Sequence, residues 1–444
     1  MKINKLNTVI EKYIKENLSP KKEEISFVSD RYKELSDMLE GENFQAGSYA
    51  RFTSMTPIND LDVMWVLPSS YLEKQVRPND LNPSDILREL AIKLEGEYKN
   101  ISTEVRIKSQ SHSVGIYFGE TDEDFSIDIV PAVISGDLNE FNEDIYYVPE
   151  ISRLSKRKRV ERYSDEKRIN WIRSDPKGYT SLAKNANDAN EGFRKVSKFM
   201  RAWKRGCKRN FYDFPLKSFH LELIVMDVFN QRANLTSLDV IKIFFDSLLE
   251  YLSNPIFPDR AENSRYVDEY LNSITNEEKE KINIFVRSGE IFIELIENCN
   301  DEDEVFNLLS RFLSGEEFIE AHDIKMEINP DYIFKIDGWV RPLKRGSFRG
   351  YSLKSKEGKV DWKREIDFKV IKSNLPEEVV LKWKVKNTGK EARIRRSLRG
   401  EITEGNTRNI PEKSEYGGSH YVECYAILEN VCIAKDRVNV NISK

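Results

Sequence analysis

Cysteine and histidine are scarce, with four of each in 444 residues. Cys207, Cys299, Cys424 and Cys432 form no C-x-x-C pair, and no histidine stands at metal-ligand spacing from a cysteine. Structural zinc and a disulfide framework are therefore not expected. Long apolar runs are missing as well: none approaches the roughly 18 residues that span a bilayer. The opening MKINKLNTVIEKYIKEN holds no uninterrupted apolar segment and no small-residue cleavage site, so a cytoplasmic chain without a signal peptide is expected. Nor is there a large surplus of one charge, since 70 Lys and Arg stand against 75 Asp and Glu for a net charge of -5. That balance argues against coating of bulk DNA. Two basic stretches, Lys156 to Arg159 and Arg393 to Arg399, can bind a polyanion locally or stand as solvated faces.

Hydrophobic residues make up 39% of the chain, and its length exceeds the size at which one core usually stops growing, so more than one domain is expected. Leu6, Ile10, Tyr13 and Ile14, then Ile25, Val28, Tyr32, Leu35 and Leu39, recur at helical spacing. Ser19-Pro20 reads as the start of the second of these helices, with the serine as cap. Beyond Gly41 the texture turns to short β-rich runs at 62–67, 115–118 and 125–131, the pattern of a mixed sheet. From about residue 191 to about 318 it is helical again. After about 328, runs at 379–385, 420–428 and 431–442 are separated by Asn387-Thr388-Gly389 and Gly417-Gly418, as in a β-sandwich in which Trp383, His420 and Tyr425 belong to the core. The expected fold class is α+β in three parts: a sheet with N-terminal helices at 1–190, a helical half at 191–327 and a C-terminal all-β sandwich at 328–444.

Asp60 and Asp62 lie two apart on one of these strands, so both carboxylates project from the same face while Leu61 and Val63 face the opposite layer. Asp128 can join them from a neighbouring strand, and its flanks Ile127 and Ile129 must enter a core. Three carboxylates gathered in a half-buried site repel one another unless cations sit between them. Hard oxygen donors suit Mg2+, with Mn2+ as a substitute, and two such ions are what phosphoryl transfer commonly uses. Gly47-Ser48, thirteen residues before Asp60, supplies backbone amides and a hydroxyl that can approach phosphate oxygens closely. Asp-x-Asp alone is usually a wet strand face, and Gly-Ser alone an ordinary turn. Their order with a later apolar-Asp-apolar strand ending at Pro131 is what a site for metal and triphosphate needs.

The blocks GSYARFT at 47–53, DLD at 60–62, SIDIVPA at 126–132, WIRSDP at 171–176, FMRAWK at 199–204 and SFHLEL at 218–223 resemble the DNA polymerase β-like nucleotidyltransferases. Within them, the resemblance is to the bacterial cyclic GMP-AMP synthase-like group, the CD-NTases with a SMODS domain. It implies that Asp60, Asp62 and Asp128 hold the metals, that Asp128 helps deprotonate the acceptor hydroxyl, and that Ser48 touches the triphosphate. A basic residue two before the helix tryptophan commonly contacts the donor phosphates in this group. Arg201 stands there, with Lys198 one turn earlier. Ser218 and Phe219 would lie near the nucleotide, the ring either stacking on a base or serving as core.

The segments WKVKNTGKEAR at 383–393, LRGEI at 398–402 and HYVECYA at 420–426 resemble the adenylyl/guanylyl cyclase and SMODS C-terminal sensor domain, AGS-C. Together the two resemblances imply an enzyme that joins NTPs or dNTPs into a short oligonucleotide signal, cyclic or linear, in bacterial anti-phage defence. Pyrophosphate would leave, and the signal would reach an effector that is often a small membrane protein. A Hailong-type enzyme making linear oligodeoxyadenylate fits the same layout, with Ser443 on a flexible end as a conceivable primer. The alternatives are a toxin-like enzyme that places a nucleotide on tRNA or protein, and an inactive nucleotide sensor.

Overall fold

The computed structural model describes residues 3–69, 82–99, 105–119, 124–151, 169–211, 214–232, 234–342, 350–389, 391–392, 395, 397–403 and 406–443. The basic stretch at 156–159, with Arg393 and Arg396, lies outside them.

Helix α1 (Ile3–Tyr13) runs into a short π-helical turn, Ile14–Leu18, before α2 (Lys22–Met38). Ser19 does not cap α2, as its place before Pro20 predicts. Its hydroxyl and amide both donate to the Ile14 carbonyl and so close the first helix. The start of α2 is capped instead by the Glu24 carboxylate, which accepts the Lys21 N–H at 2.7 Å.

Strands β1 (Asn43–Ala46), β2 (Asp60–Val66), β3 (Val105–Ser109), β4 (Val114–Phe118) and β5 (Ser126–Leu138) form a sheet in the order β1-β2-β5-β4-β3. The far half of β5 turns away to pair with β6 (Asp144–Ile151), which pairs with β7 (Ile169–Ser174). Strand alternation sorts the sheet's two faces. Leu61, Val63, Trp65, Ile127 and Ile129 enter a core shared with α2 and with α3 (Pro83–Lys99), through Val28, Leu35, Leu87, Leu90 and Leu94. Asp60, Asp62 and Asp128 therefore take the other face.

Helices α4 (Pro176–Ala189), α5 (Gly192–Asn210), α6 (Ser218–Gln231), α7 (Ser237–Tyr251), α8 (Asn276–Glu297) and α9 (Glu302–Leu313) build the helical half. Phe193, Phe199, Trp203, Phe244, Phe245, Phe292 and Phe312 fill its interior. Leu6, Val9, Ile10 and Tyr13 of α1 join that interior, not the core under the sheet. The chain's first helix thus ties the two halves together.

The C-terminal part is a β-sandwich. One sheet runs β10 (Tyr351–Ser352), β9 (Phe334–Val340), β12 (Glu365–Ser373), β15 (Asn409–Lys413). The other runs β11 (Lys359–Asp361), β17 (Val431–Ser443), β16 (Gly418–Leu428), β13 (Val380–Lys386), β14 (Arg399–Ile402), with β8 (Lys325–Met326) against β17. Trp383, Phe368 and Val422 pack between the sheets, and Trp383 and Tyr425 are buried, as expected of core residues. Ser443 is not on a flexible end. It pairs with Asp361 at the close of β17, and its carbonyl accepts the Trp362 N–H at 2.9 Å.

Candidate active site

Parallel pairing of β2 with β5 sets Asp62 directly beside Asp128, and Asp60 beside Ser126. On the outer side of each paired aspartate the neighbouring strand brings a glycine close. Gly47 follows Ala46, the β1 partner of Asp62, and Gly115 of β4 is the partner of Asp128. A Cβ at position 47 would stand 1.7 Å from Oδ2 of Asp62, and one at position 115 would stand 3.0 Å from Oδ1 of Asp128. Gly47 also has φ +63, a left-handed conformation that glycine adopts without cost. Both glycines thus keep space open around carboxylates that side chains would otherwise crowd.

Electrostatics mark the same spot. Burial, reinforced by the charges of Asp60 and Asp128, pushes the Asp62 carboxyl up to about 6, against the opposing pull of Arg51 and Arg201. Asp128 is raised by burial and by Asp60, while a hydrogen bond from Gln110 at 2.7 Å works the other way. Among the described residues, no three acidic, histidine or cysteine side chains are already drawn into a closed metal cage. Asp128 is turned toward Gln110. The donor set nonetheless fits a hard divalent cation: it is all carboxylate oxygen, and the two glycines leave the volume around it clear.

Beside the carboxylates, the turn Gly47–Ala50 presents Ser48, which is 5% exposed and accepts a hydrogen bond from Nη2 of Arg201 at 3.1 Å. Gly47, Ser48 and Arg201 are therefore brought together as the sequence predicts. Lys198 is placed elsewhere. Its amine donates to Ser19 Oγ at 3.4 Å, and burial together with Arg194 lowers its pKa. Ser218 opens α6 and accepts from Nζ of Lys204 at 3.2 Å. Phe219 is half-buried, with the Arg51 guanidinium 4.7 Å from its ring centroid and Tyr179 edge-on at 4.8 Å.

Three contributors were not read from the sequence, although Lys204 and Arg51 lie inside motif blocks. Lys204, one turn past Arg201, has its pKa pushed down to about 8 by burial, then by Lys208 and Arg201, with Asp60 pulling the other way. Arg51 forms a buried ion pair with Glu222 of α6 at 2.6 Å, and Thr53 donates to the same carboxylate at 2.8 Å. That pair locks the loop after Ser48 to the helical half. Gln110 holds Asp128 from the β3–β4 turn. Helical spacing from Arg201 was a usable signal for Lys204, whereas the Arg51–Glu222 and Gln110–Asp128 contacts join residues whose separation in sequence says nothing of their contact.

Comparison with known proteins bears on the domains and the fold. Residues 5–187 match the Second Messenger Oligonucleotide or Dinucleotide Synthetase (SMODS) domain, and residues 313–443 match the Adenylyl/Guanylyl and SMODS C-terminal sensor domain. No curated protein matches the chain. Among solved structures, the fold is similar to that of CdnC from E. coli MS115-1 with ATP, at 17% identity and a TM-score of 0.51, covering 70% of this chain and 98% of that one. The same protein in its HORMA-deltaN complex aligns at 16% identity, a TM-score of 0.51 and the same coverage. Among the described residues no helix is long and apolar enough to cross a membrane. Residues 5–187 thus carry a SMODS domain that includes the sheet, and residues 313–443 an AGS-C domain that includes the sandwich.

Proposed function

We propose that this enzyme joins nucleoside or deoxynucleoside triphosphates into a short oligonucleotide signal, cyclic or linear, in a bacterial defence system that signals to an effector protein. The observation that carries the reading is the pairing of Asp62 with Asp128 beside Ser48 and Arg201, which sets two acidic ligands next to a cationic cradle. Ser48, Arg201 and Lys204 bind the triphosphate oxygens and hold the α-phosphorus in line with the incoming hydroxyl. Asp60, Asp62 and Asp128 would hold the divalent cations, Mg2+ first. Bound there, the cations neutralise charge on the triphosphate and on the acceptor oxygen. Asp128, with its raised pKa, takes the proton from the acceptor hydroxyl as the new P–O bond forms and pyrophosphate departs. Arg51 and Glu222 act at one remove by fixing the loop that carries Ser48.

The test is incubation with each labelled triphosphate and Mg2+, without an acceptor, followed by chromatography. Oligomer appearing from triphosphates alone supports the reading. Label transferred only to added RNA or protein would replace it with an acceptor-directed enzyme, and no transfer to anything would mark a nucleotide-binding sensor.

A further inference from the structure

Between the two sheets of the sandwich lies a cavity of about 430 Å³. Interior packing defects rarely exceed the size of a water, whereas small-molecule pockets begin at about this volume. Its floor is dry, formed by Ile366 and Phe368 from one sheet and Val385, Val422 and Val440 from the other. A slot between sheets stacked roughly 10 Å apart suits a flat molecule. The His420 ring lines it with both nitrogens occupied: Nδ1 accepts from the Thr388 N–H at 3.1 Å and Nε2 donates to the Tyr416 carbonyl at 2.8 Å. That ring lends a face, not a charge.

Among the described residues the mouth has no surplus of positive charge. Arg341 is held by Asp367 and Glu365, and Arg399 by Glu412 and Glu401. Counted over the described lining residues, Arg341, Arg399 and Lys413 stand with Glu365, Asp367, Glu412 and Glu415, three cations against four carboxylates. A polyphosphate needs the opposite balance.

Two lining residues also belong to the junction with the helical half. The Arg399 carbonyl accepts from buried Lys386 at 2.9 Å, and the next carbonyl, that of Gly400, accepts the Glu317 N–H at 3.1 Å. The Tyr421 phenol faces Glu316, which Lys384 grips at 2.9 Å. Glu316 follows Gly315, whose backbone lies against Gly206 of α5. A Cβ at 315 would stand 2.2 Å from the Gly206 carbonyl oxygen. Helix α5 also carries Arg201 and Lys204.

We propose that this cavity binds an uncharged, ring-bearing molecule of nucleoside size, and that α5 reads its occupancy through Arg399, Tyr421 and the Gly206–Gly315 contact. The second half rests on the catalytic reading above; the first does not. The experiment is calorimetric titration of the full-length Asp62→Asn chain with the ribo- and deoxyribonucleosides, with and without a saturating triphosphate. The expected result is one nucleoside per chain that triphosphate fails to displace. Affinity should fall at least roughly tenfold in Ile442→Trp, which enlarges a half-buried side chain that lines the cavity and packs on its core. Glu412→Gln, which takes from Arg399 the closer of its two carboxylates, should favour the nucleoside monophosphate over the nucleoside by roughly tenfold. Displacement by triphosphate, unaltered binding in Ile442→Trp, or no nucleoside binding would overturn the site. In the otherwise unaltered enzyme the bound nucleoside should shift KM for triphosphate, and Gly315→Ala should abolish the shift while leaving nucleoside binding intact. Binding without any such shift overturns the coupling and leaves the catalytic reading standing.

Discussion

Where the helical half meets the sandwich, Lys384 is 1% exposed and lies between the carboxylates of Glu316 at 2.9 Å and Glu423 at 2.8 Å, with Arg311 and Arg437 closing the cluster. In the cleft, Asp62 and Asp128 lie side by side with Asp60 near, and the cations that reach them, Arg51 and Arg201, are shared with Glu222 and Ser48. The two clusters titrate in opposite directions. Burial works against Glu423, yet Lys384 and Arg437 hold it down to about 2, while in the cleft burial and like charge lift Asp62 to about 6. A matched cluster fastens domains; an unmatched one, kept open by two glycines, is a place for something positive to bind.

The strongest way to break this contrast is to neutralise one member of each cluster. Asp62→Asn should lower nucleotide incorporation on the order of 10³-fold while the melting temperature stays level or rises, because a repelling charge is gone. A variant that loses stability and keeps turnover would contradict the metal role. Lys384→Met should do the reverse and cost about 3–5 kcal/mol in denaturant unfolding, since two buried carboxylates lose their amine. A loss below about 1 kcal/mol would show that the junction is not held by charge.

The pH response sharpens the contrast further. Between its ordinary value of 3.8 and about 6, Asp62 keeps a proton in the folded chain that the unfolded chain has given up. Without metal, its contribution to stability is therefore present at low pH and lost as pH rises through that window. At subsaturating Mg2+, activity should run the other way, falling as pH drops below about 6 because protonation of Asp62 competes with the cation. Addition of Mg2+ at pH 6 should release protons, detectable in a weakly buffered solution, and should not do so in Asp62→Asn. The smallest effect is expected from Gly115→Ala. Its methyl would stand 2.6 Å from Nε2 of Gln110 and displace it from Asp128. Turnover should drop several-fold, with stability changed by about 1 kcal/mol or less; an unchanged pH profile would deny Gln110 its hold on that carboxylate.

Much of the fold was legible because its signals are periodic. The two-residue repeat from Asp60 to Val66 put acids on one face and Leu61, Val63 and Trp65 in the core, and the helical spacing of Phe193, Val196, Phe199 and Trp203 marked α5. Ser19 misled because a serine before proline reads equally as the end of one helix or the start of the next. Only the hydrogen bond to Ile14 decides. Lys198 and Arg201 looked equivalent as two basic residues one turn apart. Their slight angular offset aims one at Ser19 and the other at Ser48.

The letters alone determined the chemistry on offer: three aspartates on strands with apolar flanks, a glycine-serine turn and a basic helix, in an order that suits metal and triphosphate. Tertiary structure decided what shares the space, because register and domain docking depend on the whole packed chain. Asp62 meets Asp128 through a parallel pairing of strands some sixty residues apart, Arg51 finds Glu222 across the cleft, and Glu316 reaches Lys384 between domains. No local pattern encodes a contact whose partner is brought in by a separate core.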